Sequence, residues 1–375
     1  MELAITPVRG KKDLQAFLDL PYRIYRDDPH YVYPLQAQLK EFFDKDKNPF
    51  HKHALTETWL ARRGGEVVGR IGACVDRYHN EHWQETTGFF GFFECVDDRA
   101  VAHALLDTAR EWLRERGQTI MRGPLNFTTN HDAPGLLVSG DPGSPVQGMG
   151  YNPTYYPDLF TSYDGLEGSK DLWAWQVRAE DIQLPKRVEE SAKRVLKGET
   201  DLTVRPINKK DFKNEVELIR GLYNQCWHEN WGFIPMDPEE FYFSAKEMKM
   251  LVNENMLLIA EWQGEPIGFS MTVPDFNRAM KDVKGKLFPF GIFRFLRDKR
   301  KIDYARTLLL GVLPEHRHKG VDVLMVLRTY KAAIRGGITA GECSWILDSN
   351  RAMNRILEKL GARVYRTYRI YDKAL

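Results

Sequence analysis

The stretch GVLPEHRHKGVDVLM, residues 311–325, decides how the chain is expected to fold. It begins with the apolar residues of a strand and ends with the apolar spacing of a helix. Between them, Arg317, His318 and Lys319 come directly before Gly320. A glycine that follows cations at the start of a helix is typical of a loop that binds phosphate through backbone N–H groups. Asp322 is an exception, because a carboxylate in the first turn of a helix repels an anion there.

The segments around this loop have counterparts in the first half of the chain. Residues 56–79 and 255–276 each predict a β-hairpin with a turn that contains glycine. After each hairpin the pattern predicts a strand, a helix, a strand, a helix and a closing strand. The order β-β-β-α-β-α-β therefore occurs twice, and two α/β halves with mixed sheets flanked by helices are predicted.

The length and a charged segment predict where the halves meet. A chain of 375 residues favours two domains of ordinary size. Residues 184–201 alternate in charge, as solvated connecting helices do. We therefore predict a boundary near residue 182, with one domain over 1–182 and the other over 183–375.

The composition argues against several classes of protein. The 54 Lys and Arg nearly balance the 52 Asp and Glu, so no nucleic-acid partner is expected. The four cysteines are far apart and form no CxxC pair, which favours neither a disulfide framework nor a metal site. The N-terminus has no signal-peptide pattern, and no window approaches about 18 apolar residues. A cytoplasmic location is therefore predicted.

Several segments carry a resemblance to a known family. In the second half, PEHRHKGVD (314–322), CSWILDSN (343–350) and NRAMNRILEKLGARV (350–364) resemble the acyl-CoA-binding half of the GNAT acyltransferases. In the first half, LPYRIYRDDPHYVYPL (20–35) and GPLNFTTNHDAPGLLV (123–138) resemble a two-lobed bacterial subfamily of unassigned substrate. The resemblance implies two tandem GNAT-like folds, with acetyl-CoA or a longer acyl-CoA as co-substrate and no metal.

The phosphate loop of that family has the pattern Arg/Gln-x-x-Gly-x-Gly/Ala. Arg317 and Gly320 match it, whereas Asp322 replaces the last small residue. The equivalent turn of the first half has Asp97 and Asp98 and no glycine, and carboxylates there satisfy the N–H groups that phosphate needs. We therefore expect cofactor binding in the second half alone. The resemblance assigns these residues to the cofactor: Gly311, Val312, Leu313, Arg317, His318, Lys319, Gly320, Val321, Asp322, Asn350 and Asn354.

Catalytic candidates lie on the strand AGECSWILDSN. Period-two alternation places Glu342 and Ser344 on one face of this strand, and Glu342 is the candidate general base. A structural ion pair between Glu342 and an arginine is an equally open alternative. The family's usual tyrosine acid corresponds to Leu357, so the proton donor would have to be Tyr330, Tyr365 or water, or the domain does not catalyse acyl transfer.

Residues 222–241 correspond to the helices that line the family's acceptor cleft. Their amides and rings suit an elongated, largely apolar acceptor, but such residues are as often part of a core. The substrate-binding candidates are Asn224, Trp227, Asn230, Trp231 and Phe233.

An insertion at residues 277–303 combines aromatic and basic residues. A lid over the site is the preferred interpretation, because Pro289 and Gly291 interrupt a clean amphipathic helix. Peripheral membrane contact through residues 284–301 is the alternative, and the two do not exclude each other.

The sequence thus predicts an acyl-CoA-dependent N-acyltransferase that transfers an acetyl or longer acyl group to an amine. One alternative is a long-chain N-acyltransferase for a lipid-like amine, and another is a non-catalytic GNAT-like sensor or scaffold. Transfer from aminoacyl-tRNA is disfavoured by the balanced charge. The oligomeric state is not predicted.

Overall fold

The computed structural model describes residues 2–182, 190, 194–195, 200–248 and 252–375, with the backbone alone described at positions 247 and 318. Most of the predicted connector at 184–201 lies outside these residues. The chain divides into two compact units. The first unit contains Met1–Leu172, Ala279–Leu296 and Arg366–Leu375, and the second contains Trp173–Arg278 and Arg297–Tyr365. Part of the insertion and the end of the chain thus belong to the first unit, and the boundary near residue 182 stays a prediction.

The first unit is a mixed sheet with helices packed on it. The elements are β1 (Leu3–Pro7), α1 (Gly10–Ile24), α2 (Gln36–Phe42), β2 (Ala54–Arg63), β3 (Glu66–Asp76), α3 (Arg77–Trp83), β4 (Thr87–Cys95), α4 (Arg99–Arg114), β5 (Ile120–Gly123), β6 (Leu136–Gly140), α5 (Tyr156–Thr161), the start of β7 (Glu167–Arg178) and most of β13 (Arg363–Ala374). The strands follow the order β1-β2-β3-β4-β5-β13-β7, and β6 also pairs with β13. Neighbours are antiparallel from β1 to β4, whereas β4 and β5 are parallel.

The second unit repeats this plan. The elements that follow β7 along the chain are β8 (Leu202–Pro206), α6 (Phe212–Cys226), α7 (Pro238–Met248), β9 (Leu257–Trp262), β10 (Glu265–Pro274), α8 (Asn277–Met280), α9 (Gly291–Asp298), β11 (Tyr304–Val312), α10 (Val321–Arg335), β12 (Ala340–Leu347) and α11 (Arg351–Lys359), before β13. The strand order is β7-β12-β11-β10-β9-β8, in which β8 to β11 are antiparallel neighbours and β11 and β12 are parallel. Of these elements, α8 and α9 belong to the insertion.

The predicted order of elements is found in both halves of the chain, with additional elements. The hairpins are β2-β3 and β9-β10, and each is followed by a third strand, a helix, a fourth strand, a helix and a closing strand. The additional elements are α3, α8 and α9, which precede the third strand, and the short strand β6 between β5 and α5. Each unit has its own apolar core, because the helix after the third strand of the motif buries one face against the sheet. In the first unit Leu105 and Leu113 of α4 are fully buried, and in the second Val321 and Met325 of α10 are fully buried. Among the described helices, none has both the length and the hydropathy needed to cross a membrane.

Candidate active site

The parallel strands β11 and β12 of the second unit pair at one end only. Their register covers Tyr304 to Thr307 against Ala340 to Cys343. Immediately beyond, Leu308 is an extra residue on β11, because Met271 pairs with Leu309 and Thr272 with Thr307. Such a bulge bends a strand and ends its pairing. From Leu308 onward β11 therefore has no described strand partner on its β12 side, and residues 307–310 are half-exposed in the middle of the sheet.

The loop after β11 leads directly into α10. Leu313 N donates to Ile267 O (2.8 Å), and residues Pro314–Lys319 form a 3-10 helix. Gly320 has φ 70° and ψ 25°, a left-handed conformation that glycine adopts without strain. The bond from Leu324 N to Gly320 O (3.2 Å) closes the first turn of α10. The preceding N–H groups point out of the helix end, where they favour an anion.

The cations of this loop differ in what they contact. The Arg317 guanidinium donates to Val312 O (3.1 Å) and Cys226 O (3.2 Å), so it fixes the loop to the ends of β11 and α6. Lys319 Nζ lies 3.6 Å from the centroid of the Trp262 ring. The side chain of His318 lies outside the described part of the structure. The loop is therefore held in place by some of the cations that the sequence assigned to the cofactor.

Asp322 lies half-buried in the first turn of α10. The N-cap position is Gly320, and no side chain among the described residues caps this helix end. Asp322 therefore does not use up the N–H groups that a phosphate would need.

Glu342 and Ser344 belong to a series of polar side chains in the second unit that are linked by hydrogen bonds. The Arg306 guanidinium donates to Ser344 Oγ (2.9 Å) and to Ser344 O (3.1 Å). Ser344 Oγ in turn donates to one carboxylate oxygen of Glu342, and the Tyr365 hydroxyl donates to the other. Glu342 is only 1% exposed, whereas Tyr365 is half-buried. Of these side chains, only that of Tyr365 is partly exposed.

Three titratable groups of the second unit, Tyr304, Cys343 and Cys226, stay neutral at physiological pH. Burial, together with the charge of Glu342, raises the pKa of the Tyr304 phenol to about 12. Burial likewise raises the pKa of the thiols of Cys343 and Cys226 to about 12, so neither is a thiolate nucleophile. Among the described residues, no cluster of three or more His, Cys, Asp or Glu could hold a metal ion.

Two curated proteins are similar in sequence to this chain over nearly its whole length. It is 33% identical over 373 residues to Protein YghO of Escherichia coli K12, covering 98% of this chain and 94% of that protein. It is also 33% identical over 381 residues to the bacterial ceramide synthase of Caulobacter vibrioides, covering 100% and 98%. No family model matches the chain.

Solved structures supply the fold. A tandem GNAT protein from the clavulanic acid biosynthesis pathway superposes with a TM-score of 0.59 at 14% identity, over 100% of this chain and 98% of that one. The chain belongs to the same family as Protein YghO and the bacterial ceramide synthase, and its fold is the tandem GNAT fold. A GNAT acetyltransferase from Sphaerobacter thermophilus, at TM-score 0.53 and 12% identity, covers 99% of this chain and 95% of its own. The predicted tandem GNAT fold is thereby confirmed.

Leu357, which the sequence resemblance aligns with the GNAT tyrosine acid, is a core residue. Leu357 is 5% exposed and packs with Trp175, Ala362 and Cys343 beneath α11. Tyr330, one of the substitutes that the sequence offered, donates to Ala179 O (3.3 Å). Tyr365 is the candidate that the structure brings next to Glu342.

The amides assigned to the GNAT cofactor have contacts within the protein. Asn350 caps α11 by accepting from Met353 N (3.2 Å). Asn354 accepts from Trp175 Nε1 (3.1 Å) and donates to the backbone oxygens of Leu347 and Asp348. These side chains hold α11 on the end of β12.

Of the residues predicted to bind the acceptor substrate, some pack within the protein and others lie at its surface. Asn224 accepts from Met236 N (3.2 Å) and donates to Met236 O (3.1 Å), so it fixes the loop after α6. The Trp227 ring covers Gly311 so closely that a Cβ there would lie 2.4 Å from it. Phe233 is buried, Trp231 is half-buried and Asn230 is exposed. Gly311 is therefore needed for the close approach of α6 to β11.

The first unit also has a strand bulge, but there the residues that follow β5 lie beside the bulged strand and form hydrogen bonds with it. In the second unit, we call the unpaired side of β11 from Leu308 onward the opening beside β11. On β4 an extra residue falls at Phe92–Phe93, opposite Ile71. The Phe92 N–H donates to Asn126 Oδ1 (2.7 Å), and Phe90 O accepts from Leu125 N (2.7 Å). No corresponding segment is described beside β11.

At the N-terminus of α4, the helix that follows β4, the N–H groups that could bind an anion already have an acceptor. Asp98 Oδ1 accepts from the N–H groups of Ala100 (2.9 Å) and Val101 (3.2 Å), which are the donors that a phosphate would use. Its other oxygen pairs with Arg63 at 2.6 Å. Hydrogen bonding to Arg63 holds the pKa of the Asp98 carboxyl below its usual value, so the cap is charged at neutral pH.

Arg306 is the residue of this site that the sequence interpretation did not name. An arginine inside the apolar strand ARTLLLGV was an available signal, since a buried charge needs a partner. Its partner, Ser344, lies on the adjacent parallel strand and could be identified only from the strand register.

Proposed function

We propose that the second unit is an acyl-CoA-dependent N-acyltransferase that transfers a long acyl group to a lipid-like amine. The observation that carries the substrate class is the 33% identity, over the whole chain, to a protein named bacterial ceramide synthase. The observation that favours the second unit as the location of the reaction is the stretch of β11 from Leu308 onward, which has no described strand partner on its β12 side.

The loop and the open strand would hold the co-substrate. The N–H groups at the start of α10, with Gly320 before them, would bind the pyrophosphate of CoA. N–H groups on the open side of β11 would donate to the thioester carbonyl oxygen and stabilise its negative charge as the bond forms. Half-buried apolar residues on both diverging strands suit an acyl chain: Leu308, Leu309 and Leu310 on β11, and Trp345, Ile346 and Leu347 on β12.

Glu342 and Tyr365 would move the proton. An ammonium substrate first loses one proton to solvent, and the amine nitrogen then attacks the thioester carbon. As the C–N bond forms, the nitrogen releases its second proton through the Tyr365 hydroxyl to Glu342, because Tyr365 already donates to that carboxylate. The C–S bond then breaks, and the same pair returns the proton to the thiolate of CoA.

A chain-length series tests this proposal. Free thiol is measured with acetyl-, octanoyl- and palmitoyl-CoA, each with sphinganine and with ethanolamine as acceptor. We expect the highest kcat/KM for palmitoyl-CoA with sphinganine. A preference for acetyl-CoA, or equal rates with both amines, would contradict the long-chain assignment.

A non-catalytic role is the second candidate, and Leu357 is the observation that favours it. A GNAT protein without its tyrosine acid could bind acyl-CoA as a sensor or scaffold. Calorimetric binding of palmitoyl-CoA without thiol release from any amine would identify this role.

A further inference from the structure

We propose that residues 284–296 form a docking surface for an anionic lipid bilayer. This surface inserts its aromatic side chains among the lipid headgroups. We call these residues the aromatic patch. This proposal does not depend on the transferase activity, since it concerns the first unit and a surface rather than the site beside β11.

The aromatic patch is held firmly on the first unit. Gly285 has φ 73°, and a Cβ there would lie 2.1 Å from the Tyr22 hydroxyl and 2.8 Å from Pro34 O. Gly285 O accepts from Gln36 N (3.4 Å), and Tyr22 Oη donates to Lys284 O (3.3 Å). These contacts to α1 and α2 fix one end of the patch, so its exposed rings are not those of a loose loop.

The large apolar side chains of the patch point into solvent. Phe288 is 78% exposed, Phe290 73%, Phe293 70% and Leu296 49%. Eight large apolar residues are strongly exposed in the described chain, and these four are half of them within nine consecutive residues. Isolated exposed apolar residues are ordinary, whereas a contiguous patch marks an interaction surface. A lid packed on a site would bury these rings.

The helix within the patch separates its apolar residues into an inner and an outer face. Along α9, Ile292 and Phe295 are half-buried, whereas Phe293 and Leu296 are exposed. Phe293 and Leu296 are three residues apart and therefore lie side by side on the helix. With Phe288 and Phe290 directly before the helix, they form one outward apolar surface.

The positive charge of residues 284–301 favours an anionic partner. Residues 284–301 contain seven Lys or Arg and one acidic residue, Asp298. Lys284, Lys286 and Arg294 are exposed, and none is in an ion pair among the described residues. Asp298 is paired with Arg297 (2.6 Å) and Lys301 (3.3 Å), so it offers little opposition to an anion.

This combination fits an anionic membrane surface better than a second copy of the chain. Two identical cationic surfaces repel each other, whereas phosphate headgroups attract Lys and Arg and the acyl boundary accepts Phe and Leu. Exposed rings bordered by cations are the arrangement that interfacial segments use.

Vesicle co-sedimentation of the full-length protein tests the proposal. We expect binding to vesicles of phosphatidylglycerol and phosphatidylethanolamine, weakened by added salt, and at least about tenfold weaker binding to pure phosphatidylcholine. The variants Phe288→Ser and Phe293→Ser should each reduce the partition coefficient by about tenfold. Lys286→Gln should reduce it by about fivefold on anionic vesicles only.

Leu55→Ser is the matched control, because Leu55 is 61% exposed on the first unit but lies outside the patch. It should leave vesicle binding unchanged. Equal losses for Leu55→Ser and Phe293→Ser, or no binding to anionic vesicles, would overturn the proposal. So would a dimer in native mass spectrometry that Phe288→Ser dissociates, because the patch would then be an interface between copies. Thermal unfolding of each variant shows that it is folded.

Discussion

Replacing Gly320 with alanine should weaken acyl-CoA binding in addition to destabilising the second unit. Gly320 has φ 70°, and an alanine there costs about 1–2 kcal/mol of folding free energy from backbone strain. Apart from the adjoining residues 319 and 321, no described protein atom lies within 4 Å of the added Cβ, so no clash with the described residues adds to this strain. If the pyrophosphate lies against this glycine, however, the methyl group displaces it and weakens charge-assisted hydrogen bonds worth about 1.5–3 kcal/mol each. The expected loss of affinity is therefore about tenfold or more.

Gly337→Ala is the matched control for this test. Gly337 has φ 82° and equally open surroundings, and it also lies in the second unit, beyond the other end of α10. Both variants should lower the melting temperature to a similar extent, as measured by calorimetry. Titration with palmitoyl-CoA should show reduced affinity for Gly320→Ala alone. If the two variants bind equally well, or lose equal affinity, the loop at 317–322 does not bind the cofactor.

Three further predictions concern single side chains. Glu342→Gln keeps the volume of the side chain but removes the proton acceptor, so thiol release should fall by about 10²-fold or more with unchanged acyl-CoA affinity; an unchanged rate would show that Glu342 is structural. Asp98→Ala removes two cap hydrogen bonds and should destabilise the first unit by about 1 kcal/mol in urea unfolding, and a loss of acyl-CoA affinity would contradict the assignment of that site to the second unit. Burial, aided by the nearby His51 and His53, lowers the pKa of His131 to about 3. Folded His131 is therefore neutral, whereas the unfolded chain binds a proton below about pH 6.5. Stability should consequently fall as the pH drops from about 6.5 toward 3, by up to about 1.4 kcal/mol per pH unit, and urea unfolding of His131→Gln at pH 7 and pH 5 should show a smaller difference than the parent.

The order of the elements could be predicted because its signals are local. The hairpins β2-β3 and β9-β10 follow from β-forming residues on either side of glycine turns, and α4 and α10 follow from their apolar spacing. The cap at Asp98 was also predictable, since a carboxylate at a helix start is a local signal. Each of these features depends on residues close together in the chain.

The exchange of segments between the compact units could not be predicted in this way. Residues 279–296 and 366–375 belong to the first unit although their chain neighbours belong to the second. The contact of Gly285 with Tyr22 joins positions far apart in the sequence, and no local pattern specifies it. The same holds for the aromatic patch, since sequence alone does not tell an exposed ring from the ring of a lid.

The candidate site was predictable in its strand positions and not in its hydrogen bonds. Alternation placed Glu342 and Ser344 together, and the structure brings them into contact. The role of Tyr365 depends on the path of β13, and that of Arg306 on the register between β11 and β12. The amides of Asn224 and Asn354 are engaged with the backbone of distant segments, which residue type cannot reveal.

The two units together explain why the opening beside β11 points to a ligand. Both strands have a bulge at the equivalent place, and a bulge leaves backbone groups without a neighbouring strand. In the first unit, Asn126 and Leu125 satisfy those groups at Phe92 and Phe90. In the second unit no described segment lies beside β11 from Leu308 onward, and we propose that an acyl-CoA thioester and its pantetheine amides bond to backbone groups on that side. A ligand that supplies these hydrogen bonds to the folded state alone must stabilise it by mass action. Binding of acyl-CoA should therefore raise the melting temperature of the second unit and leave that of the first unchanged.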